Sequence, residues 1–301
     1  GRPVPAVGLS AGLRTHYFQH GGFFRLSPRL RVRFLPDGRL SFGVGYSRNH
    51  QFIHRLYLEQ STHADIWVLS TEAQPPGRVD HLSGGASLRA SSTTFVQVET
   101  YAKHFTNLRE HEASAARRSL RPVSPLLDPW IHDNRGRARG VEAMVRQRIA
   151  SATWTNSYTW STMELRNDRV SDGSWYPADW DRRHQFTSHV EVSIVDALRL
   201  GVIWVSGSGT PNTLAVDDPR EPERLSPYHR MDASLRWHRD VGRGRLELKA
   251  NMFNVLDRDN TWYRSPIAVA RRTADGNRVG FMNVDVYDLG RRPSLEIRYA
   301  F

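Results

Sequence analysis

Ser10 stands in "GLSAG", Gly8 to Gly12, the Gly-x-Ser-x-Gly spacing of an esterase nucleophile. That chemistry needs a strand, a sharp turn and a helix, so that the hydroxyl projects from a strained elbow. Here Val7, Leu9, Ala11 and Leu13 alternate straight through Ser10, so a strand with no elbow is expected. "SGSGTP", Ser206 to Pro211, lacks the Lys-Ser/Thr of a phosphate loop and reads as a strand bending into a loop. None of the 13 histidines falls in a His-Glu-x-x-His pattern. His16 and His20 of "HYFQH" would lie far apart on an extended chain, too far to share a metal. No catalytic residue, cofactor or metal is therefore expected, and the chain does not read as an enzyme. Two groups remain that could bind. Tyr57, Trp67, Trp130, His132, Trp175, Tyr176, Trp180, Tyr228, Trp262 and Tyr263 fall at loop positions, able to stack on a ligand or equally to pack the loops together. Arg29, Arg31 and Arg33 recur every second residue.

The elements that must carry these residues are strands. "RLSPRLRVRF" puts Leu26, Leu30, Val32 and Phe34 on one face and Arg29, Arg31 and Arg33 on the other. "RLSFGVGYS" follows with Leu40, Phe42, Val44 and Tyr46 against Ser41, Gly43 and Gly45, after a tight turn at Pro36 to Gly38. The same period predicts strands near 7–17, 25–35, 39–49, 79–90, 94–105, 138–150, 152–163, 182–194, 198–209, 228–239, 244–255 and 289–301. That is about twelve, each near the length of a tilted strand that crosses a bilayer. Short turns near 36–38, 91–93, 151, 195–197 and 240–243 alternate with long polar loops near 50–78, 106–137, 164–181, 210–227 and 256–288. Sorting of loops by length is the mark of an outer-membrane barrel, with short turns in the periplasm and long loops outside. The expected fold class is all-β, a transmembrane antiparallel up-and-down β-barrel. Trp154, Trp160, Trp204, Trp237 and Tyr299 sit toward strand ends, as interfacial residues would, whereas Asn156 is polar on an apolar face. A one-residue slip of the second strand would turn three arginines to lipid, at roughly 2 to 4 kcal/mol each near the midplane.

Bulk composition excludes other classes. No run approaches the roughly 20 apolar residues of a spanning helix. The formal charge is +11, but the only lysines are Lys103 and Lys249 and the arginines are dispersed, so a nucleic-acid patch is not expected. Cysteine is absent, which suits an oxidising compartment. The last residues, "SLEIRYAF", place Leu295, Ile297, Tyr299 and Phe301 in phase, a closing strand with a terminal aromatic.

Several stretches resemble the C-terminal part of the barrel of a TonB-dependent outer-membrane receptor. "LSPRLRVRFLPDGRLSFGVGYSRNHQF" (Leu26 to Phe52) resembles the family's mid-barrel hairpin, and "FVQVETYAKHFTNL" (Phe95 to Leu108) a strand leaving into an outer loop. "GRARGVEAMVRQRI" (Gly136 to Ile149) is similar to its returning Gly-x-Glu strand. "RMDASLRWH" with "LELKANMFNVLDRDN" resembles the penultimate hairpin, whose Asn-Leu-Phe-Asp element here reads Asn251-Met252-Phe253-Asn254. The resemblance implies that residues 1–301 are one barrel domain, a fragment of a barrel of about 22 strands, with the plug domain and first strands absent. It implies a bacterial outer-membrane location and plug-gated, energised import of a scarce siderophore, vitamin or oligosaccharide. The implied partners are outer-membrane lipid, the receptor's own plug, the inner-membrane TonB complex, the small-molecule or oligosaccharide ligand, and the assembly machinery that reads Leu295, Ile297, Tyr299 and Phe301. The lumen-facing Arg29, Arg31 and Arg33 would then meet plug carboxylates or an anionic ligand. A self-closed twelve-stranded channel or translocator is the alternative, followed by an outer-membrane hydrolase.

Overall fold

The computed structural model describes residues 6–36, 38–56, 66–72, 74–111, 131–168, 173–212, 222–273 and 276–301. Among them every regular element is a strand. Twelve strands form one sheet in chain order. They are β1 (Val7–Phe18), β2 (Phe23–Phe34), β3 (Leu40–Gln51), β6 (Gly77–Arg89), β7 (Thr94–His111), β8 (Ile131–Ile149), β9 (Ala152–Arg166), β11 (His184–Val195), β12 (Leu198–Gly207), β13 (Tyr228–Val241), β14 (Gly244–Phe253) and β17 (Arg292–Ala300). Each pairs antiparallel with its neighbours. The short turns fall at one end of this sheet and the long connections at the other, as the loop lengths required.

The structure adds five strands at the long-loop end. The hairpin β4 (Ile53–Leu56) and β5 (Ile66–Leu69) lies in the stretch expected to be loop at 50–78. A larger hairpin, β15 (Thr261–Thr273) and β16 (Gly276–Tyr287), occupies most of 256–288. The three-residue β10 (Trp175–Pro177) extends the sheet beside the end of β9. The expected loop 106–137 is also shorter than its bounds, because β7 runs on to His111 and β8 starts at Ile131.

Register keeps one apolar face continuous. Ala11, Leu30, Tyr46, Leu82 and Ala102 are successive partners across β1, β2, β3, β6 and β7. Leu200, Leu235, Ala250 and Leu295 continue the pattern on β12, β13, β14 and β17. This face is bare: Leu9 is 71% exposed, Leu13 63%, Leu82 59% and Leu295 68%. In water so large an apolar surface would drive association, whereas lipid is a solvent for it. Trp154 donates its indole N–H to Ser188 at 2.8 Å. Asn156, the register partner of Ser188, has a buried Oδ1 with no hydrogen-bond partner among the described residues, and nothing in the structure explains it.

The sheet is open. β1 and β17 stand at the two ends of the strand order and do not pair with each other. These twelve strands therefore do not close on themselves, against the self-closed alternative. Ser10 lies mid-strand opposite Arg31, with no helix after it, so the elbow geometry is absent there.

Candidate functional site

The polar face of β2 carries the first candidate surface. Arg29 lies between Gly12 of β1 and Ser47 of β3, Arg31 between Ser10 and Gly45, and Arg33 between Gly8 and Gly43. Each guanidinium thus stands between two small residues, so nothing beside it covers it. Arg29 donates to Asn49 Oδ1 at 3.2 Å, and none of the three has a carboxylate partner among the described residues. Beyond them the face stays low across Ser41, Gly43 and Gly45 of β3 and Ser83, Gly85 and Ser87 of β6, leaving a trough of about 320 Å³. At Gly45 an added Cβ would come within 3.3 Å of Ser83 Oγ, so even one methyl group would begin to fill it. The far wall is acidic. Glu99 of β7 lines the trough and faces Glu142 of β8 directly, a like-charge pair that destabilises unless a cation joins it. Some other charges on this face are paired within the sheet, Arg199 with Glu191 at 3.5 Å and Arg236 with Glu247 at 3.2 Å. The trough therefore presents an unpaired cationic wall and an acidic wall at once.

The second surface is the long-loop rim. Tyr57 and Trp130 lie outside the described residues, as does the side chain of His132. Trp67 is 63% exposed, Trp180 64% and Trp262 71%, with Tyr263 packed edge-to-face on Trp262 at 5.7 Å. Tyr176 corrects the expectation of a ligand contact. It is fully buried with Leu165 and Ala178, against Leu108 and Met163, so it packs the rim together. Trp175 lies beneath the Arg137 guanidinium at 4.4 Å. Tyr228 donates to Asp288 at 3.0 Å and is flanked by Arg182 at 5.2 Å.

Sequence reasoning missed the groups that hold this rim in place. The Asp181 carboxylate is wholly buried, accepting from Arg224 at 2.5 Å, Arg183 at 2.8 Å and the Met163 amide at 2.7 Å. Arg224 also donates to the Gly209 carbonyl at 3.0 Å, so one cluster ties the connection after β9 to that after β12. Asn254, the last residue of the Asn-Met-Phe-Asn element, is buried at a positive φ of 50°. Its amide donates to Asp232 at 2.9 Å, its side-chain nitrogen to the Arg258 and Leu289 carbonyls at 3.0 and 3.2 Å, and its side-chain oxygen accepts from the Arg258 amide at 3.2 Å. Asn260 exchanges two bonds with the His229 backbone, at 2.8 and 2.9 Å. Above it Arg264 holds Asp285 at 2.5 Å and keeps that carboxyl below its usual range. At the base of β4, burial and the nearby Arg109 guanidinium push His54 down to about 4, and its Nε2 lies 3.2 Å from Ser70 Oγ.

Neither a protein-family model nor a curated protein sequence matches the chain. Solved structures do. A variant of the ferric enterobactin receptor PfeA from Pseudomonas aeruginosa matches at 16% identity and a TM-score of 0.65, over 99% of this chain and 43% of that one. The ferric yersiniabactin uptake receptor FyuA from Yersinia pestis matches at 12% identity and a TM-score of 0.60, over 98% of this chain and 42% of its own. The ferric-catecholate import receptor Fiu from Escherichia coli K12 matches at 14% identity and a TM-score of 0.56, over 91% and 35%. The chain thus spans about two fifths or less of the solved receptors it matches. At these identities the likeness shows the fold, an up-and-down sheet like part of the barrel wall of those structures, and bears out at that level the resemblance read from the sequence.

Proposed function

We propose that the chain is the C-terminal part of the barrel of a TonB-dependent receptor of the bacterial outer membrane, importing a scarce small ligand past a plug domain. The apolar face meets lipid, the polar face lines the lumen, and the long-loop rim faces outward. Siderophores are the ligand class favoured, because the named neighbours PfeA, FyuA and Fiu are receptors for ferric enterobactin, ferric yersiniabactin and ferric catecholates. Trp67, Trp180, Trp262 and Tyr263 are the exposed aromatics that would stack on it.

One observation carries the reading: the unpaired row Arg29, Arg31 and Arg33 beside a glycine-floored trough whose far wall carries Glu99, the register partner of Glu142. A small anion would use the arginines and leave the carboxylates repelling each other. A folded surface bearing both signs would satisfy both walls, as a plug domain carrying both signs would. The low floor admits its backbone closely. Energised movement of the plug would break and remake these pairs.

The test is made in the full receptor. Cysteines replacing Ser10 and Ser83, which flank the trough, are crosslinked to the plug with reagents of graded length and mapped by mass spectrometry. Crosslinks that require energisation to weaken support the reading. Crosslinks only to lipid-exposed partners, or none to the plug, would refute the docking role. Uptake unaffected by loss of the inner-membrane coupling complex would refute energised import.

A further inference from the structure

Consecutive residues of an extended chain point to opposite sides, and Glu223 and Arg224 grip two different neighbours in that way. The chain is held extended there. The Asn212 amide donates to the Glu223 carbonyl at 2.8 Å, the Leu225 amide to the Thr210 carbonyl at 2.9 Å, and Leu225 is buried. A Cβ on Gly209 would collide with the Leu225 carbonyl, so the two arms of this connection lie against each other and neither can swing alone. Arg224 reaches one way, to the buried Asp181 carboxylate and, at 2.9 Å, to the Asp181 carbonyl. Glu223 reaches the other way, to Arg264 of β15 at 3.3 Å, and Arg264 in turn holds Asp285 of β16.

Three successive outer connections are thereby joined in series. Asp181 belongs to the connection after β9, Glu223 and Arg224 to that after β12, and Arg264 and Asp285 to the β15–β16 hairpin. A second rung lies nearer the sheet, where Arg182 stacks on Tyr228 at 5.2 Å and Tyr228 donates to Asp288 at 3.0 Å.

The links of the outer rung are unequal. The Asp181 side chain has no exposure and Arg224 30%, whereas Glu223 is 68% exposed. An ion pair shielded from water couples its partners strongly and an exposed one weakly. The pair Glu223–Arg264 is therefore the weak joint, where the series opens first. At the strong joint, loss of the Arg224 charge would still leave Asp181 with Arg183 and the Met163 amide, so the carboxylate would not be orphaned.

The series ends on exposed aromatics. Trp180 precedes Asp181 directly, and Trp262 and Tyr263 precede Arg264. We infer that Arg224 and Arg264 are positioning residues, which hold Trp180 and the Trp262–Tyr263 pair on one platform at a preset separation. A ligand then meets two aromatic faces already arranged, instead of ordering separate loops, and that ordering cost is removed from binding. The inference rests on the receptor reading above for what the two faces contact.

The test uses the full-length protein in nanodiscs and needs no ligand. The chain has no cysteine of its own, so spin labels on Trp180→Cys and Trp262→Cys report the separation of the two ends by electron–electron double resonance. A single narrow distance distribution is expected, and Arg224→Gln or Arg264→Gln should each about double its width. Because the links are in series, the double variant should be no broader than Arg224→Gln. Amide exchange without labels reads the coupling reciprocally. Arg264→Gln should speed exchange at 178–183, which Arg264 does not touch, and Arg224→Gln at 261–264 and 285–288, each by about tenfold. Exchange at Ile53–Leu56 and Ile66–Leu69, on the hairpin outside the series, should not change. Arg264→Lys keeps the charge and should restore both readings. A broad distribution in the wild type, an unchanged width in Arg224→Gln, or faster exchange confined to the substituted side would overturn the platform while leaving the receptor reading intact. Uptake that is independent of the coupling complex would overturn the receptor reading and leave these distances as they are.

Discussion

Asn254→Ala is the substitution whose cost follows most directly from geometry. Asn254 is buried, sits at φ 50°, and its side chain makes three hydrogen bonds, two to carbonyls and one from an amide. Alanine removes all three and leaves two buried carbonyls and one amide to find new partners, about 3 kcal/mol at about 1 kcal/mol each. Alanine also resists the left-handed region that asparagine tolerates, adding about 1 kcal/mol. The sum, about 4 kcal/mol, is local, because the bonds tie the exit of β14 to the chain re-entering at Leu289. Amide hydrogen exchange of the full-length protein in nanodiscs should show protection at 254–260 and 288–292 falling about a thousandfold, with the short-turn half of β13 and β14 unaffected. Asn254→Asp keeps the backbone preference and the acceptor, loses two donors, and should fall about midway. Protection in the alanine variant within tenfold of wild type would show that the side chain is not the tie. A uniform loss across the sheet would show that the effect is not local.

Three further outcomes are expected. His54 is buried in the outer hairpin and its folded value, about 4, lies below the ordinary value of 6.5, so the unfolded segment binds protons first as pH falls. Stability of the β4–β5 pairing should therefore be full above pH 6.5 and decline toward pH 4, by on the order of 3 kcal/mol, and pH-dependent exchange of the amides of Ile53–Leu56 and Ile66–Leu69 measures it. The His54→Phe variant should lose that dependence. Tyr176→Ala should destabilise the rim by about 3 to 5 kcal/mol through the cavity among Leu165, Ala178 and Met163, seen as lost protection there. Trp180→Ala, at a 64% exposed side chain, should leave protection unchanged while weakening ligand binding by about 1 to 3 kcal/mol in a titration.

The strands were legible because lipid on one side and water on the other force strict alternation. β1 was expected at 7–17 and runs Val7–Phe18; β11 was expected at 182–194 and runs His184–Val195. Above the membrane that constraint ends. "RSPIAVARRT" in β15 does not alternate, so its hairpin read as loop, and the β4–β5 hairpin was hidden likewise. Arg29, Arg31 and Arg33 were visible as a row, but their glycine and serine flanks come from β1 and β3 through register, which one strand cannot reveal. Glu99 opposite Glu142 is hidden for the same reason. Tyr176 misled because an aromatic in a polar loop looks the same whether it meets a ligand or a neighbour. Its burial is decided by Leu165 on β9 and Leu108 on β7, across the sheet.

The β15–β16 hairpin also bears on how fast the sheet can form. β14 must find β17 across the stretch from Phe253 to Arg292. As a random coil that search carries the loop-closure entropy of the whole segment. A hairpin needs only its own turn to zip, on a microsecond scale, before either flanking strand arrives. Once formed, it shortens the effective connection to the residues at its base and lowers the entropic cost of pairing β17 by about 1 kcal/mol. The β4–β5 hairpin stands in the same relation to β3 and β6. Outer hairpins therefore turn the two longest-range strand pairings bridged by them into nearly local ones, and give this sheet a lower kinetic contact order than its loop lengths imply.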